Sequence, residues 1–135
     1  MATSAEKKRV LDWFTRWQET MNLNHWTITV KYREENKNEE SAADTIRDFD
    51  YLRATINVYP CFFGETLEIQ WSHVAHEMTH VMLNDYDQAL WNSQAGLIPH
   101  DKQIKKIQEQ TTTQFTSLLM KAWPYNKKKL KRERK

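Results

Sequence analysis

The chain has 135 residues, of which 39% are hydrophobic and 12% aromatic, enough for one domain with a buried core. It contains neither an apolar run near the roughly 20 residues that a membrane-spanning helix needs nor an apolar stretch of the signal-peptide type, so we expect a cytoplasmic protein. Its only cysteine is Cys61, so we expect no intramolecular disulfide. Seven of the 20 basic and one of the 18 acidic residues lie in 127–135, so the formal net charge of +2 combines a tail of +6 with a body of −4.

Apolar periodicity in the first half of the chain predicts one helix and then strands. Residues 4–21 carry apolar side chains at helical steps, and residues 26–32 alternate between apolar and polar side chains as a half-buried strand does. The acidic stretch that follows predicts an exposed turn, with a short second strand at 41–47. Alternation returns at 53–59, and Pro60 ends this strand because proline cannot donate a hydrogen bond to a sheet.

The second half of the chain predicts two helices separated by a loop. Apolar residues recur at steps of three and four over 67–83, without Pro or Gly, which indicates a helix with one buried face. Mostly polar residues after Asn84, with Gly96 and Pro99, predict a loop. A final helix is predicted for 101–122. We expect its buried stripe to consist of Ile104, Ile107, Thr111, Phe115, Leu118 and Ala122.

The order of these elements predicts the fold class α+β. We expect an N-terminal helix, a small twisted sheet of two to four strands, the helix of 67–83 and a C-terminal helix, with the helices packed on one sheet. Residues 1–126 would form this single domain. Residues 127–135 would be a basic, disordered tail that could contact DNA or another polyanion.

Residues 76–80 read His-Glu-Met-Thr-His, the pattern H-E-x-x-H, within the helix predicted for 67–83. Residues i and i+4 of a helix lie one turn apart on the same face, so the rings of His76 and His80 can reach one metal ion. Glu77 is rotated by about 100° from His76, so its carboxylate can lie beside the ion and take a proton from a water that zinc holds. The pattern is typical of zinc peptidases.

A third metal ligand must come from elsewhere, because catalytic zinc usually has three protein ligands. His73 lies about 10.5 Å from His80 along the helix axis, too far to share an ion, so we expect it to be a neighbouring or surface residue. Glu109 is the predicted third ligand, because it lies off the apolar stripe of a helix that we expect to pack beside the motif. His100 and Asp101 are the alternative ligands.

Two threonines of the final helix and two residues after the motif also bear on the type of metal site. Thr112 and Thr116 could border a polar cleft, and one of them could orient the carboxylate of Glu109. The metzincin pattern requires Gly and His where this chain has Leu83 and Tyr86, so that class is excluded.

A resemblance to a known family rests on Trp26-Thr-Ile-Thr-Val, Ala54-Thr-Ile-Asn-Val-Tyr-Pro and Ile69-Gln-Trp-Ser-His-Val-Ala-His-Glu-Met-Thr-His-Val-Met-Leu. The chain resembles the small zincin-type metallopeptidases of phages and bacteria over about its first 84 residues, and more loosely over the final helix. The resemblance implies a twisted sheet with one edge strand above the motif helix. In the gluzincin branch that it resembles, the third ligand is a glutamate on a later helix, which matches Glu109. The longer Asn-Glu-x-x-Ser-Asp form of larger gluzincins is absent.

The sequence therefore predicts a zinc-dependent peptidase with one zinc ion per chain and a protein or peptide as substrate. Metal-activated water would hydrolyse the peptide bond, with Glu77 as general base. Tyr86, His100 and Tyr125 are candidate donors to the oxyanion. One alternative is a zinc-binding regulatory or interaction module without peptidase activity. Another is a DNA-associated peptidase guided by the basic residues 127–135.

Overall fold

The chain folds into four α-helices and a three-stranded sheet within the part that the structure describes. The structure, a computed structural model, covers residues 2–37, 41–48, 50–94 and 101–126, without the side chains of 90–94 and 101–103. The elements are α1 (Ser4–Thr20), β1 (Thr27–Tyr32), β2 (Ala43–Asp48), β3 (Arg53–Val58), a 3₁₀ turn (Pro60–Gly64), α2 (Leu67–Met82), α3 (Asn84–Gln94) and α4 (Asp101–Ala122). The predicted class α+β is confirmed, and the tail predicted for 127–135 lies outside the described residues. Within these ranges no helix has both the length and the apolar character needed to cross a membrane.

Helix α1 begins at a capping box. Thr3 Oγ1 accepts a hydrogen bond from Glu6 N at 3.1 Å, and Glu6 Oε1 accepts one from Thr3 N at 2.9 Å, so two backbone N–H groups without a helical partner are satisfied. The buried face of α1 consists of Val10, Trp13, Phe14 and Trp17. This face packs α1 against α2, the helix that carries the H-E-x-x-H motif.

The sheet has the strand order β1-β3-β2, with β1 parallel and β2 antiparallel to β3. Alternate side chains of the central strand face the core, so Ala54, Ile56 and Val58 are at most 2% exposed. Among the described strands β2 pairs with β3 alone, which makes β2 an edge strand, and it lies against α2. Three strands agree with the predicted two to four, and an edge strand above the motif helix is what the family resemblance implies.

An aromatic cluster joins α1, α2 and the end of α4. Its members are Trp13, Trp17, Trp71, Trp123 and Tyr125, whose ring centroids lie 5.1–6.5 Å apart in the contacting pairs. The indole Nε1 of Trp71 also donates a hydrogen bond to the carbonyl oxygen of Trp123 at 3.1 Å. These contacts hold the C-terminal end of α4 beside the N-terminal half of α2.

The segment after α2 is a helix as far as residue 94, and the prediction of a loop there is wrong. Asp87 of this helix, α3, is 1% exposed and pairs with Arg47 of β2 at 2.6 Å. This partner lies 40 residues earlier in the chain. A tertiary contact therefore stabilises a helix whose own composition is mostly polar.

Helix α4 has the predicted bounds but turns a different face to the core. Ile107, Phe115 and Leu118 of the predicted stripe are 38%, 41% and 61% exposed. The buried side chains are those of Ile104, Gln108, Thr112 and Thr116. The two threonine hydroxyls each donate to the carbonyl oxygen four residues earlier, at 2.8 and 2.7 Å, so they are buried with their hydrogen bonds satisfied. The predicted stripe is therefore wrong at Ile107, Phe115, Leu118 and Ala122, because the inner face of α4 is polar around Thr112 and Thr116 and becomes apolar at Leu119 and Met120.

Candidate metal centre

The two histidines of the motif project from the same side of α2. Thr66 caps this helix, because its Oγ1 accepts a hydrogen bond from Ile69 N at 3.3 Å. The rings of His76 and His80 have centroids 4.9 Å apart and planes at 87° to each other. Their side chains are 25% and 13% exposed. Both rings therefore lie at the edge of the core with one side accessible.

Glu109 of α4 brings a carboxylate to these two rings. Its Oε2 lies 3.3 Å from His76 Nε2, and its Oε1 lies 3.1 Å from His80 Nε2. One ligand atom from each of the three residues lies within 4.8 Å of the others, so this set, the metal group, could hold a metal ion. The structure thus brings together the three residues predicted from the sequence. His100 lies outside the described residues, and of Asp101 only the backbone at the start of α4 is described.

The donor atoms lie close enough together to share one small metal ion. Bonds of about 2.0–2.1 Å to a tetrahedral zinc ion place neighbouring ligand atoms about 3.3 Å apart. The two N···O distances in the metal group, 3.3 and 3.1 Å, are close to this value and join the two ring nitrogens to different oxygens of Glu109, while one ligand atom from each residue lies within 4.8 Å of the others. Calcium and magnesium take mainly oxygen ligands, so two imidazoles and one carboxylate fit zinc better than either.

The side chains of the metal group shift one another's pKa values. Burial lowers the pKa of His76, but the hydrogen bond to Glu109 and the charges of Glu77 and Glu109 outweigh burial and raise it overall. Hydrogen bonds from His76 and His80 hold the pKa of the Glu109 carboxyl well below its usual range. Glu109 is therefore ionised throughout the neutral pH range, as a metal ligand has to be.

Thr112 of α4 supports His80 on the side away from Glu109. The Thr112 hydroxyl donates to Gln108 O at 2.8 Å, so its oxygen can accept a hydrogen bond from His80 Nδ1, 3.4 Å away. In the structure His80 Nε2 faces Glu109 as a hydrogen-bond donor; a metal ion would replace that proton, and the proton that remains on Nδ1 would then keep the Nε2 lone pair directed at the ion. Thr112 therefore lies behind a histidine, whereas the expectation from the sequence is that Thr112 or Thr116 could orient the carboxylate of Glu109.

Glu77 lies beside the metal group and under the edge strand β2. It is 5% exposed, and its Oε2 accepts a hydrogen bond from Thr45 Oγ1 at 2.7 Å. Burial raises the pKa of Glu77, and this effect exceeds the lowering by His80 and by the Thr45 hydrogen bond. A carboxylate is thus fixed next to the metal group without belonging to it.

Strand β2 is attached to α2 by two side chains that point the same way. Thr45 and Arg47 are two residues apart, so they lie on one face of the strand. Arg47 Nη1 donates to His80 O at 2.8 Å and to Asp87 Oδ2 at 2.6 Å. Neither Thr45 nor Arg47 was among the site residues predicted from the sequence. The signal that could have identified them is their shared face in the strand predicted for 41–47.

The metal group and β2 border an open cleft of roughly 1380 Å³. His73 also lines this cleft; its ring centroid lies 6.0 Å from that of Phe62, and burial lowers its pKa. The predicted oxyanion donors are not found in the described lining. Tyr125 packs in the aromatic cluster, and Tyr86 is 45% exposed on α3. The third candidate, His100, lies outside the described residues.

The chain matches no protein-family model, no curated protein and no solved structure. The geometry of the metal group and of the cleft around it therefore carries the functional argument.

Proposed function

We propose that the chain is a zinc-dependent peptidase that holds one zinc ion through His76, His80 and Glu109. The observation that carries this proposal is the placement of three metal-type donors and a separate carboxylate, Glu77, along one open cleft. A structural zinc site is usually closed by four protein ligands and has no need of a buried carboxylate beside it. A hydrolytic site needs both an open coordination position and a base.

The chemistry divides between the ion and the side chains of the chain. Zinc, when bound, acts as a Lewis acid towards a carbonyl oxygen and lowers the pKa of water to about 7. Glu77 takes the proton of the attacking water and passes it to the nitrogen of the leaving amine. The Thr45 hydroxyl donates to Oε2 of Glu77, which leaves Oε1 available to receive the proton. The same hydrogen bond orients the carboxylate before a substrate enters.

The free edge of β2 supports a peptide as the substrate. In the described sheet β2 pairs only with β3, and Ala43, Asp44 and Thr45 line the cleft. An extended peptide can add to such an edge through backbone hydrogen bonds. A peptide bound in this way would cross the cleft above α2, where the metal group lies.

Metal content and one substitution test the proposal together. We expect about one zinc ion per purified chain and loss of this zinc when His76 and His80 are both replaced by alanine. Glu77→Gln keeps the side-chain shape and an oxygen for the Thr45 hydroxyl. This variant should bind zinc normally but hydrolyse a denatured protein or a peptide library about 10²–10⁴-fold more slowly. Glu68→Gln, which changes another acidic residue that lines the cleft, is the matched control and should leave hydrolysis unchanged.

Each outcome of this experiment bears on a different part of the proposal. Hydrolysis by Glu77→Gln at the wild-type rate would remove Glu77 as the general base. Zinc binding without hydrolysis of any library peptide would favour a zinc-binding module without enzymatic activity. Full zinc occupancy in the double histidine variant would place the ion elsewhere.

A further inference from the structure

The cleft continues past the metal group to an end that the proposed mechanism does not use. Helix α4 runs antiparallel to α2, because Thr116 meets Thr79 at 3.4 Å while Trp123 accepts a hydrogen bond from Trp71. Residues of α4 that precede Glu109 therefore lie towards the C-terminal end of α2. The residues that line the cleft at this end are Arg47, Asp87, Lys105 and Gln108.

Gln108 lines this end of the cleft and carries a buried hydrogen-bond donor, Nε2, just behind the cleft surface. The residue is 8% exposed, and among the described residues its Nε2 has no hydrogen-bond partner. Most buried side-chain polar atoms in proteins have a partner, and an unpaired buried N–H is costly. An unpaired donor in the lining of a cleft points to a ligand with an acceptor oxygen.

The charges at this end favour an anion. Arg47 and Asp87 bind each other at 2.6 Å, so their formal charges cancel, although Asp87 Oδ1 has no hydrogen-bond partner among the described residues; Glu109 belongs to the metal group. Lys105 is exposed and adds a positive charge to the described lining here. A carboxylate offers negative charge to Lys105 and acceptor oxygens to Gln108.

We propose that Lys105 and Gln108 form a carboxylate subsite, which binds an acidic group of the substrate one or two residues from the scissile bond. The subsite deepens the proposed peptidase function and rests on it. Lys105 lies about 6 Å along the axis of α4 from Glu109, at 1.5 Å per residue. An extended peptide advances about 3.3–3.6 Å per residue, so two residues span this distance.

The carboxylate can belong to an Asp or Glu side chain or to the C-terminus of the substrate. Strand β2 runs in the same direction as α2, because Thr45 bonds to Glu77 and Arg47 bonds to His80. A peptide antiparallel to β2 places residues N-terminal to the scissile bond at the subsite, where it offers a side chain. A peptide parallel to β2 places its C-terminal residues there and can offer its terminal carboxylate.

Titration of the chain with short peptides, followed by NMR at the side-chain amide of Gln108, tests the subsite directly. The Glu77→Gln variant, ¹⁵N-labelled and measured with and without zinc, prevents cleavage during the measurement. The amide signal is identified by its loss in Gln108→Leu. The first probe pair is acetyl-Ala-Ala-Glu-Ala-Ala-amide and its glutamine counterpart. The second pair is acetylated penta-alanine with a free C-terminus and with a C-terminal amide.

We expect a saturable shift of the Gln108 amide signal with at least one carboxylate peptide and none with its neutral counterpart. A shift with the glutamate peptide assigns a side chain to the subsite, and a shift with the free C-terminus assigns a terminal carboxylate. Lys105→Met should weaken the Kd by about 2–5-fold, as for a partly exposed ion pair. Lys106→Met changes the adjacent exposed lysine outside the described cleft lining and should leave the Kd unchanged.

The absence of a shift with both carboxylate peptides, or equal shifts with the neutral ones, would overturn the subsite. A water molecule would then be the partner of the amide. The test is separable from that of the peptidase. Saturable binding by a chain that hydrolyses nothing would keep the subsite and remove the peptidase. Hydrolysis of peptides without any preference for a carboxylate would keep the peptidase and remove the subsite.

Discussion

Replacing Thr112 by valine should weaken zinc binding although no metal ligand is removed. Thr112 is fully buried, and valine has nearly the same shape but lacks the hydroxyl. In the wild type the Thr112 hydroxyl donates to Gln108 O, which leaves its oxygen as an acceptor for a proton on His80 Nδ1, 3.4 Å away. Without this acceptor the ring of His80 is free to turn or to carry its proton on Nε2, the atom that faces Glu109.

The length of this hydrogen bond sets the expected magnitude. Loss of a partner behind a metal-ligating histidine typically weakens metal affinity by about 10–100-fold. The 3.4 Å separation is longer than the usual hydrogen bond of about 2.7–3.2 Å, so we expect the lower end of that range. The Kd for zinc should therefore rise about tenfold in Thr112→Val, which corresponds to about 1.4 kcal/mol.

Competition with a chromogenic zinc chelator measures this change. Thr113→Val is the matched control, because Thr113 is an exposed neighbour on the same helix that also lines the cleft. Both substitutions make the same change of side chain, while only Thr112 contacts His80. Thr112→Ser should restore most of the affinity. Thermal unfolding of the zinc-free variants separates a change in folding from a change in binding.

Two results would refute this reasoning. A Kd for Thr112→Val within twofold of the wild-type value would show that the hydroxyl does not orient His80. Equal weakening in Thr113→Val would show that the effect belongs to the helix and not to the contact.

Three further predictions concern stability and the basic tail. Asp87→Ala should lower the free energy of unfolding by about 3–5 kcal/mol, because it removes the buried carboxylate that pairs with Arg47. The control Asp85→Ala, at an exposed position of α3, should lower it by less than about 1 kcal/mol. Equal losses of stability in thermal melts of the two variants would contradict the role of the pair. Burial opposes ionisation of Asp44, but hydrogen bonds to its carboxylate outweigh burial and lower the pKa of Asp44 below the usual 3.8. The stability that ionised Asp44 adds to the fold is therefore present above pH 3.8 and is lost as the pH falls through the lower pKa of the folded chain. Urea unfolding should therefore show wild type and Asp44→Asn converging in acid, and a constant difference would disprove the linkage. Deletion of 127–135, which lies outside the described residues, should leave the melting temperature within a few degrees of the full chain's value. It should also reduce any salt-sensitive binding of DNA. Unfolding of the truncated chain would contradict the first expectation.

The metal group was predictable because most of its geometry is local. The spacing of His76 and His80 on a helix brings two rings to one side whatever the rest of the fold does. Glu109 required one tertiary assumption, that the final helix packs beside α2, and the structure agrees with it. The contacts of Thr45 and Arg47 depend on how an edge strand lies over a helix, which no local pattern specifies.

The two errors in the predicted fold have one physical origin, namely polar residues that are buried. Hydrophobic periodicity assumes that apolar side chains mark the inner face of a helix. On α4 the inner face near the metal group includes Thr112 and Thr116, which hydrogen-bond within their own helix. On α3 the buried side chain of Asp87 pairs with Arg47. Pattern analysis reads both kinds of residue as solvent-exposed.

The aromatic cluster gives the chain an optical signal that reports on one helix. Near-ultraviolet circular dichroism of aromatic side chains is lost when their fixed packing is lost. At the C-terminal end of α4, the Trp123 ring packs against that of Trp17, and the Trp123 carbonyl oxygen accepts a hydrogen bond from Trp71. Glu109 of the metal group lies towards the other end of this helix. Removal of zinc by a chelator should therefore leave the near-ultraviolet spectrum in place, while detachment of α4 from α1 and α2 should abolish much of it. A single spectrum can thus distinguish a chain that has lost a bound ion from one in which α4 has detached from α1 and α2.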